Sequence, residues 1–175
     1  MKLEGLNQDE RYTALSSAFS AAIERIAGAY ELQPDLRPDL IQDMHVALWQ
    51  SLARYDGRCS PSTWVFRVAH NVASSYAIKR RRQRRAGTLT LEEAGEITAP
   101  DDVEASVHER RSLDRLMALI RRLAEPDRQI ALLYLEDLDA AAISQVVGMS
   151  PGAVATKIHR LKTVLAKMFQ QGVTP

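Results

Sequence analysis

Lys79, Arg80, Arg81, Arg82, Arg84 and Arg85 crowd into seven consecutive residues. Ammonium and guanidinium groups at that density neutralise phosphates and release the counterions of a polyanion. Trp64, Arg67, Asn71 and Ile78 stand upstream. With Arg82 and Arg85 they fall within ~60° of one another on a helical wheel. An aromatic ring can stack on, or replace, an unstacked base, and the Asn71 amide carries the donor and acceptor that read a base edge. Taken alone, the basic run fits a solvated surface equally well, and Trp64 fits a core aromatic.

A second set lies near the C-terminus, over residues 139–160. Asp139 is placed to cap a helix whose inner face is Ile143, Val146 and Val147. Gly148 gives the backbone freedom of a tight turn, then Ser150 caps a second helix with Pro151 in its first turn. Val154, Ile158, Leu161 and Leu165 line one side of that helix, and Thr156, His159, Arg160 and Thr163 point roughly the other way. This is the pattern of a helix-turn-helix whose second helix lies in a major groove. A plain helical hairpin with a wet polar face is the alternative.

Catalytic chemistry has no comparable set. There is no P-loop, no G-x-S-x-G and no Gly-rich dinucleotide loop. His45, His70, His108 and His159 are scattered without metal-ligand spacing, and Cys59 has no second cysteine for an intramolecular disulfide. Asp56 and His70 could be imagined as an acid–base pair, but nothing orients them. No catalytic residue, metal or cofactor is expected, and the chain is not read as an enzyme.

Helices must position both sets. Leu15, Phe19, Ile23 and Ile26 predict an amphipathic helix over about 10–29, ended by the segment Gln33 to Pro38 with its two prolines. Leu40, Ile41, Met44, Leu48 and Leu52 predict a second over 38–52. After a turn at Tyr55 to Arg58, Ser60 and Pro61 open a third, with Val65, Val68, Ala69, Val72 and Tyr76 inward. Periodicity vanishes over AGTLTLEEAGEITAP. Leu113, Leu116, Ile120 and Leu123 mark a further helix, and Pro126 opens the next, carrying Ile130, Leu133 and Leu138. No useful strand alternation is present. The expected fold is all-α: two small helical domains, 1–85 and 105–175, joined by a flexible acidic linker over 86–104. No apolar run reaches the roughly 20 residues of a spanning helix, and the N-terminus lacks a signal-peptide stretch, so the expected place is the cytoplasm without membrane insertion. The net charge of +1 matters less than its division into a basic cluster and an acidic segment.

Taken together, the two sets resemble the sigma factors of bacterial RNA polymerase. Residues 39–85, with DLIQD, ARYDG, TWVFRVAHN and the basic helix end in that order, resemble region two. Residues 113–169 resemble region four, and a linker this short is similar to the extracytoplasmic-function group. The resemblance implies core RNA polymerase and promoter DNA as partners, and an anti-sigma factor as inhibitor. It implies that Asp39, Leu40, Gln42 and Asp43 dock on the clamp helices of the polymerase largest subunit. It assigns Trp64, Arg67, Val68, Asn71 and Arg82 to the minus-ten element, and the loop from Asp56 to Ser62, Arg58 included, to capture of a flipped base. Thr156, Lys157, His159 and Arg160 match the helix that reads the minus-thirty-five element. Departures fall at Ala155, where relatives often carry lysine, at Lys157, where arginine is usual, and at Cys59-Ser60-Pro61 in the capture loop. A stand-alone regulator using only its helix-turn-helix is the competing reading, and it has no need of the DLIQD segment or the basic aromatic helix.

Overall fold

The structure, a computed structural model, describes residues 3–85 and 106–171, which fall into two compact units, Met1–Glu93 and Ala94–Pro175. Every regular element among the described residues is helical. The linker expected over 86–104 lies outside the described residues.

The first unit holds α1 (Gln8–Tyr30), a short 3-10 turn (Pro34–Leu36), α2 (Arg37–Leu52) and α3 (Pro61–Arg85). Helix α1 starts earlier than its apolar period suggests because Asn7 and Glu10 form a reciprocal capping box: the Asn7 side chain accepts from the Glu10 amide, and the Glu10 carboxylate accepts from the Asn7 amide. The segment after α1 interrupts the helix more briefly than the two prolines imply, since Pro34 opens the 3-10 turn and Pro38 sits in the first turn of α2. Ser60 caps α3 as expected, its Oγ accepting from the Thr63 amide at 3.1 Å.

Cross-contacts fix the directions of the three helices. Tyr12 meets His45, and the Trp49 indole N–H donates to Asp9, so α1 runs antiparallel to α2. Phe19 meets Phe66 edge-on, and Tyr76 reaches Glu31, so α1 runs parallel to α3. Between them lies a core of Leu15, Ile23, Ile26, Leu40, Met44, Leu48, Leu52, Val65 and Phe66, all buried. Burying each such side chain contributes roughly 1.5–3 kcal/mol. Leu40, expected both on the apolar stripe of α2 and in the docking segment, is 0% exposed, because that stripe, which must face α1 and α3, begins with it.

The second unit packs α4 (Ser106–Arg121), α5 (Asp127–Leu135) and α6 (Ala140–Val147) on α7 (Pro151–Gln171). Ile120, Ile130, Leu133, Ile143, Val154 and Leu161 form its core. Leu113, one of the residues that mark α4, is exposed on it. One expectation fails here. Leu138, read as part of the Pro126 helix, lies beyond its end, because Asp137 adopts a left-handed backbone (φ 58°) that stops α5. The helix-turn-helix itself forms as its capping residues predict. Asp139 accepts from the Ala142 amide at 2.7 Å, Gly148 closes α6 at φ 71°, and Ser150 accepts from the Ala153 amide at 3.3 Å.

His70 is fully buried on α3, edge-on to Tyr30, and neither ring nitrogen meets a hydrogen-bond partner among the described residues. Burial holds its pKa down to about 3, against 6.5 for a free imidazole. Between those values the unfolded chain binds a proton that the folded chain refuses, so stability rises with pH and is lost as pH falls from about 6.5 towards 3. Urea unfolding at pH 7 and pH 5 is expected to show this loss in the wild type, at up to about 1.4 kcal/mol per pH unit from this group. In His70→Leu the loss should shrink. Equal losses in the two proteins would refute the assignment.

Candidate nucleic-acid interface

The basic run at the end of α3 is not a uniform surface. Lys79, Arg81 and Arg82 are exposed, whereas Arg80 is turned inward. Its Nε lies 3.5 Å from Glu31, and its Nη2 donates to the Gln33 side chain at 3.0 Å. Glu31, only 4% exposed, also accepts from the Tyr76 hydroxyl and, at 2.7 Å, from the Gln33 amide. Burial, then the Glu31 hydrogen bond and charge, push the Tyr76 phenol up to about 12. Arg37 completes the knot, donating to the backbone carbonyls of Glu31 and Leu32. The chain just beyond α1 is thereby tied to the last turns of α3. No sequence signal within α3 separates Arg80 from its neighbours; its acid lies 49 positions earlier, at Glu31.

At the other end of α3, Trp64 is half-buried and pinned. Its indole N–H donates to Ser51 Oγ at 2.9 Å, and the Tyr55 ring stands against it at 5.2 Å between centroids. Tyr55 is itself held, its hydroxyl donating to the Cys59 carbonyl at 2.8 Å. Arg67 lies 6.0 Å from the Trp64 ring centroid, within cation–π range. Val68 is half-buried, while Asn71 and Arg82 are exposed. The Asp56–Ser62 loop is shaped by Gly57 at φ 79° and by Asp56, which accepts from the Arg58 amide and pairs with its guanidinium at 2.8 Å. Arg58 itself is almost fully exposed. Ser51 and Tyr55 were absent from the sequence-based site, and only the fold brings them beneath Trp64.

On the outer side of α2, Asp39, Gln42 and Asp43 are exposed, and Val46 and Trp49 extend that surface with apolar area. On α7, Thr156, His159 and Arg160 are exposed. The Thr156 hydroxyl donates to the Gly152 carbonyl at 3.0 Å, which leaves its methyl and a lone pair outward. Lys157 differs from its neighbours: its Nζ pairs with Asp127 of α5 at 2.5 Å and is half-buried. It braces α7 against α5. Across the described residues, no three His, Cys, Asp or Glu side chains converge as a metal site requires.

Two helical units, one ending in a basic aromatic helix and one built around a helix-turn-helix, define a DNA-binding transcription protein. A family model of sigma-70 region 2 matches residues 15–85, and one of sigma-70 region 4 matches residues 113–165. An extracytoplasmic-function sigma factor of Streptomyces griseus, ShbA, is 32% identical over 140 residues, covering 76% of this chain and 71% of that one. The sigma-E factor of Haemophilus influenzae is 24% identical over 166 residues, covering 91% and 87%. The solved structure of CnrH in complex with the cytosolic domain of CnrY superposes with a TM-score of 0.65 at 20% identity, covering 95% of this chain and 91% of that one. The chain belongs to the sigma-70 family, as an extracytoplasmic-function sigma factor of RNA polymerase. It is accordingly a factor for transcription initiation.

Breaking one side of the Glu31–Arg80 pair leaves an uncompensated buried charge, whereas removing both leaves none. Glu31→Met is expected to cost about 3 kcal/mol, and the double variant Glu31→Met/Arg80→Met to cost less than that single one. Thermal melting of the three proteins checks this. A double variant as unstable as the sum of the two singles would mean the pair is not coupled.

Proposed function

We propose that this sigma factor docks on core polymerase through the outer face of α2, engages the minus-ten element with α3 and its preceding loop, and reads the minus-thirty-five element with α7. The observation that carries the reading is the outer stripe of α3, where a pinned Trp64 and Arg67 continue into exposed Asn71 and Arg82. Residues 1–85 then serve polymerase docking and melting, residues 105–175 upstream recognition, and 86–104 joins them.

Each part has a chemical task. Exposed Asp39, Gln42 and Asp43 offer acceptors and an amide to a basic helix pair, and Leu40 supports them from within. Trp64 offers a ring that cannot swing away, so a base that stacks there loses no further ordering of the protein. Arg67, Asn71 and Arg82 supply cations and an amide along the strand, and Val68 an apolar contact at its edge. The Asp56–Ser62 loop, with Arg58 outermost, takes the flipped base. Opening duplex DNA costs about 1.4 kcal/mol per base-pair step. A stacked or pocketed base recovers roughly 1–3 kcal/mol. Melting can proceed on binding energy alone, with no catalytic group on this chain.

For upstream recognition, Thr156, His159 and Arg160 read the major groove while Lys157 sets the angle of α7 through Asp127. An anti-sigma factor is the natural inhibitor: CnrH, similar in fold over nearly the whole chain, was solved in complex with the cytosolic domain of CnrY. Working on core polymerase places the protein in the cytoplasm, and no described helix is long and apolar enough to cross a membrane.

Purified chain added to bacterial core polymerase and a library of promoter-like fragments should yield transcripts that start downstream of shared motifs only when the chain is present. Specific duplex binding by the chain alone, with no such transcripts, would instead favour a stand-alone regulator. On a promoter so found, Arg160→Gln should weaken upstream-element binding by roughly 1–3 kcal/mol and lower its salt dependence. Lys157→Gln should cost less. The reverse ranking would move Lys157 back among the reading residues.

A further inference from the structure

Helix α5 packs on the inner side of α7 and grips one lysine on each of its flanks. At ~100° per residue, Lys157 and Lys162 stand about 110° to either side of the centre of the face formed by Thr156, His159, Arg160 and Thr163. On one flank Asp127, the opening residue of α5, pairs with Lys157. On the other Tyr134, near the end of α5, holds its ring centroid 4.6 Å from the Lys162 Nζ. The two grips differ in chemistry. A carboxylate neutralises the cation it holds, whereas an aromatic face attracts a cation and leaves its charge intact. Lys157 is half-buried, while Lys162 and Tyr134 are exposed. Among the described residues no carboxylate pairs with Lys162.

We propose that Lys162 contacts a backbone phosphate on one wall of the groove that α7 occupies, and that Tyr134 is the residue that positions it. The proposal rests on the minus-thirty-five reading above and extends it from residues aimed at base edges to one aimed at the groove wall. A helix in a major groove turns its outer face to the bases and its flanks to the two sugar-phosphate walls. The Lys157 flank has its charge matched within the protein, and the Lys162 flank does not. A free lysine must be ordered before it can hold one phosphate. Over the Tyr134 ring part of that ordering is already made. Two features favour DNA over an acidic protein partner. Lys162 lies ~60° from His159, next to the base-reading face. Arg160 is otherwise the one exposed lysine or arginine over residues 151–161, so the helix needs a further phosphate anchor. Since every phosphate is alike, Lys162 adds affinity and fixes the seating of α7 without choosing sequence.

The test uses the whole chain with core polymerase, on a promoter whose upstream element has been mapped, with affinity measured across a salt series. Lys162→Gln should lower the slope of log affinity against log salt by about one, and equally on strong and weak upstream elements. Neutral methylphosphonates placed singly around that element should include one position that weakens the wild type and leaves Lys162→Gln unmoved. Tyr134→Leu should weaken binding about threefold, the worth of an exposed cation–π contact. Tyr134→Phe, which keeps the ring face, should bind as the wild type does. In a Lys162→Gln background, Tyr134→Leu should cost nothing more. A Lys162→Gln protein with the wild-type slope and the wild-type response at every position would overturn the proposal. Loss of polymerase binding by Tyr134→Leu in the absence of DNA would assign the ring to a protein contact and remove its positioning role. If scrambling the upstream element leaves wild-type binding unchanged, the minus-thirty-five reading itself fails, and this contact with it.

Discussion

A buried carboxylate governs the direction of α3. Glu31 sits just past α1, and a charge removed from water must be matched where it lies. Its matches are Arg80 and Tyr76, both on α3, and the Gln33 amide. A long helix with six cations near its end has every electrostatic reason to fray and splay. Committing one of those cations inward fixes the rotation of the helix about its own axis. Once that rotation is set, Asn71, Lys79, Arg81 and Arg82 have no choice but to face solvent. The same knot fixes the entry into α2 through Arg37, so α2 and α3 share one anchor.

Local signals were written plainly in the sequence. Ser60-Pro61, Asp139, Gly148 and Ser150 each act within a few residues of themselves, and each cap formed where the residue type demanded it. Periodicity was equally legible where a helix had a single buried face, as in α2. What could not be read was the sorting of like residues by distant partners. Arg80 is no different in type from Arg81, and Lys157 resembles any cation on a recognition helix. Only Glu31 and Asp127, far off in the chain, draw these two inward. Leu40 and its neighbours illustrate the same sorting: a motif names neighbouring residues together, while a helix sends them to opposite sides.

The aromatic residues divide by the same logic. Trp64 and Tyr55 are neither plain core nor free surface. Their polar atoms are consumed internally, by Ser51 and by the Cys59 carbonyl, so that only ring surface remains on offer. Rings held this way are selective for shape and stacking rather than for hydrogen-bond pattern. Asn71, by contrast, is exposed on the same helix.

The chain has two tryptophans, one on α2 and one on α3. Trp49 lies on the outer side of α2 with its indole bonded to Asp9, and Trp64 lies near the start of α3 with its indole bonded to Ser51. Each ring therefore sits in a defined environment before any partner arrives. The protein carries two intrinsic fluorophores, one on the outer side of α2 and one near the start of α3. With either ring replaced by phenylalanine, the other becomes a single-site optical reporter, and events at α2 and at the start of α3 can be followed separately in time without an added dye.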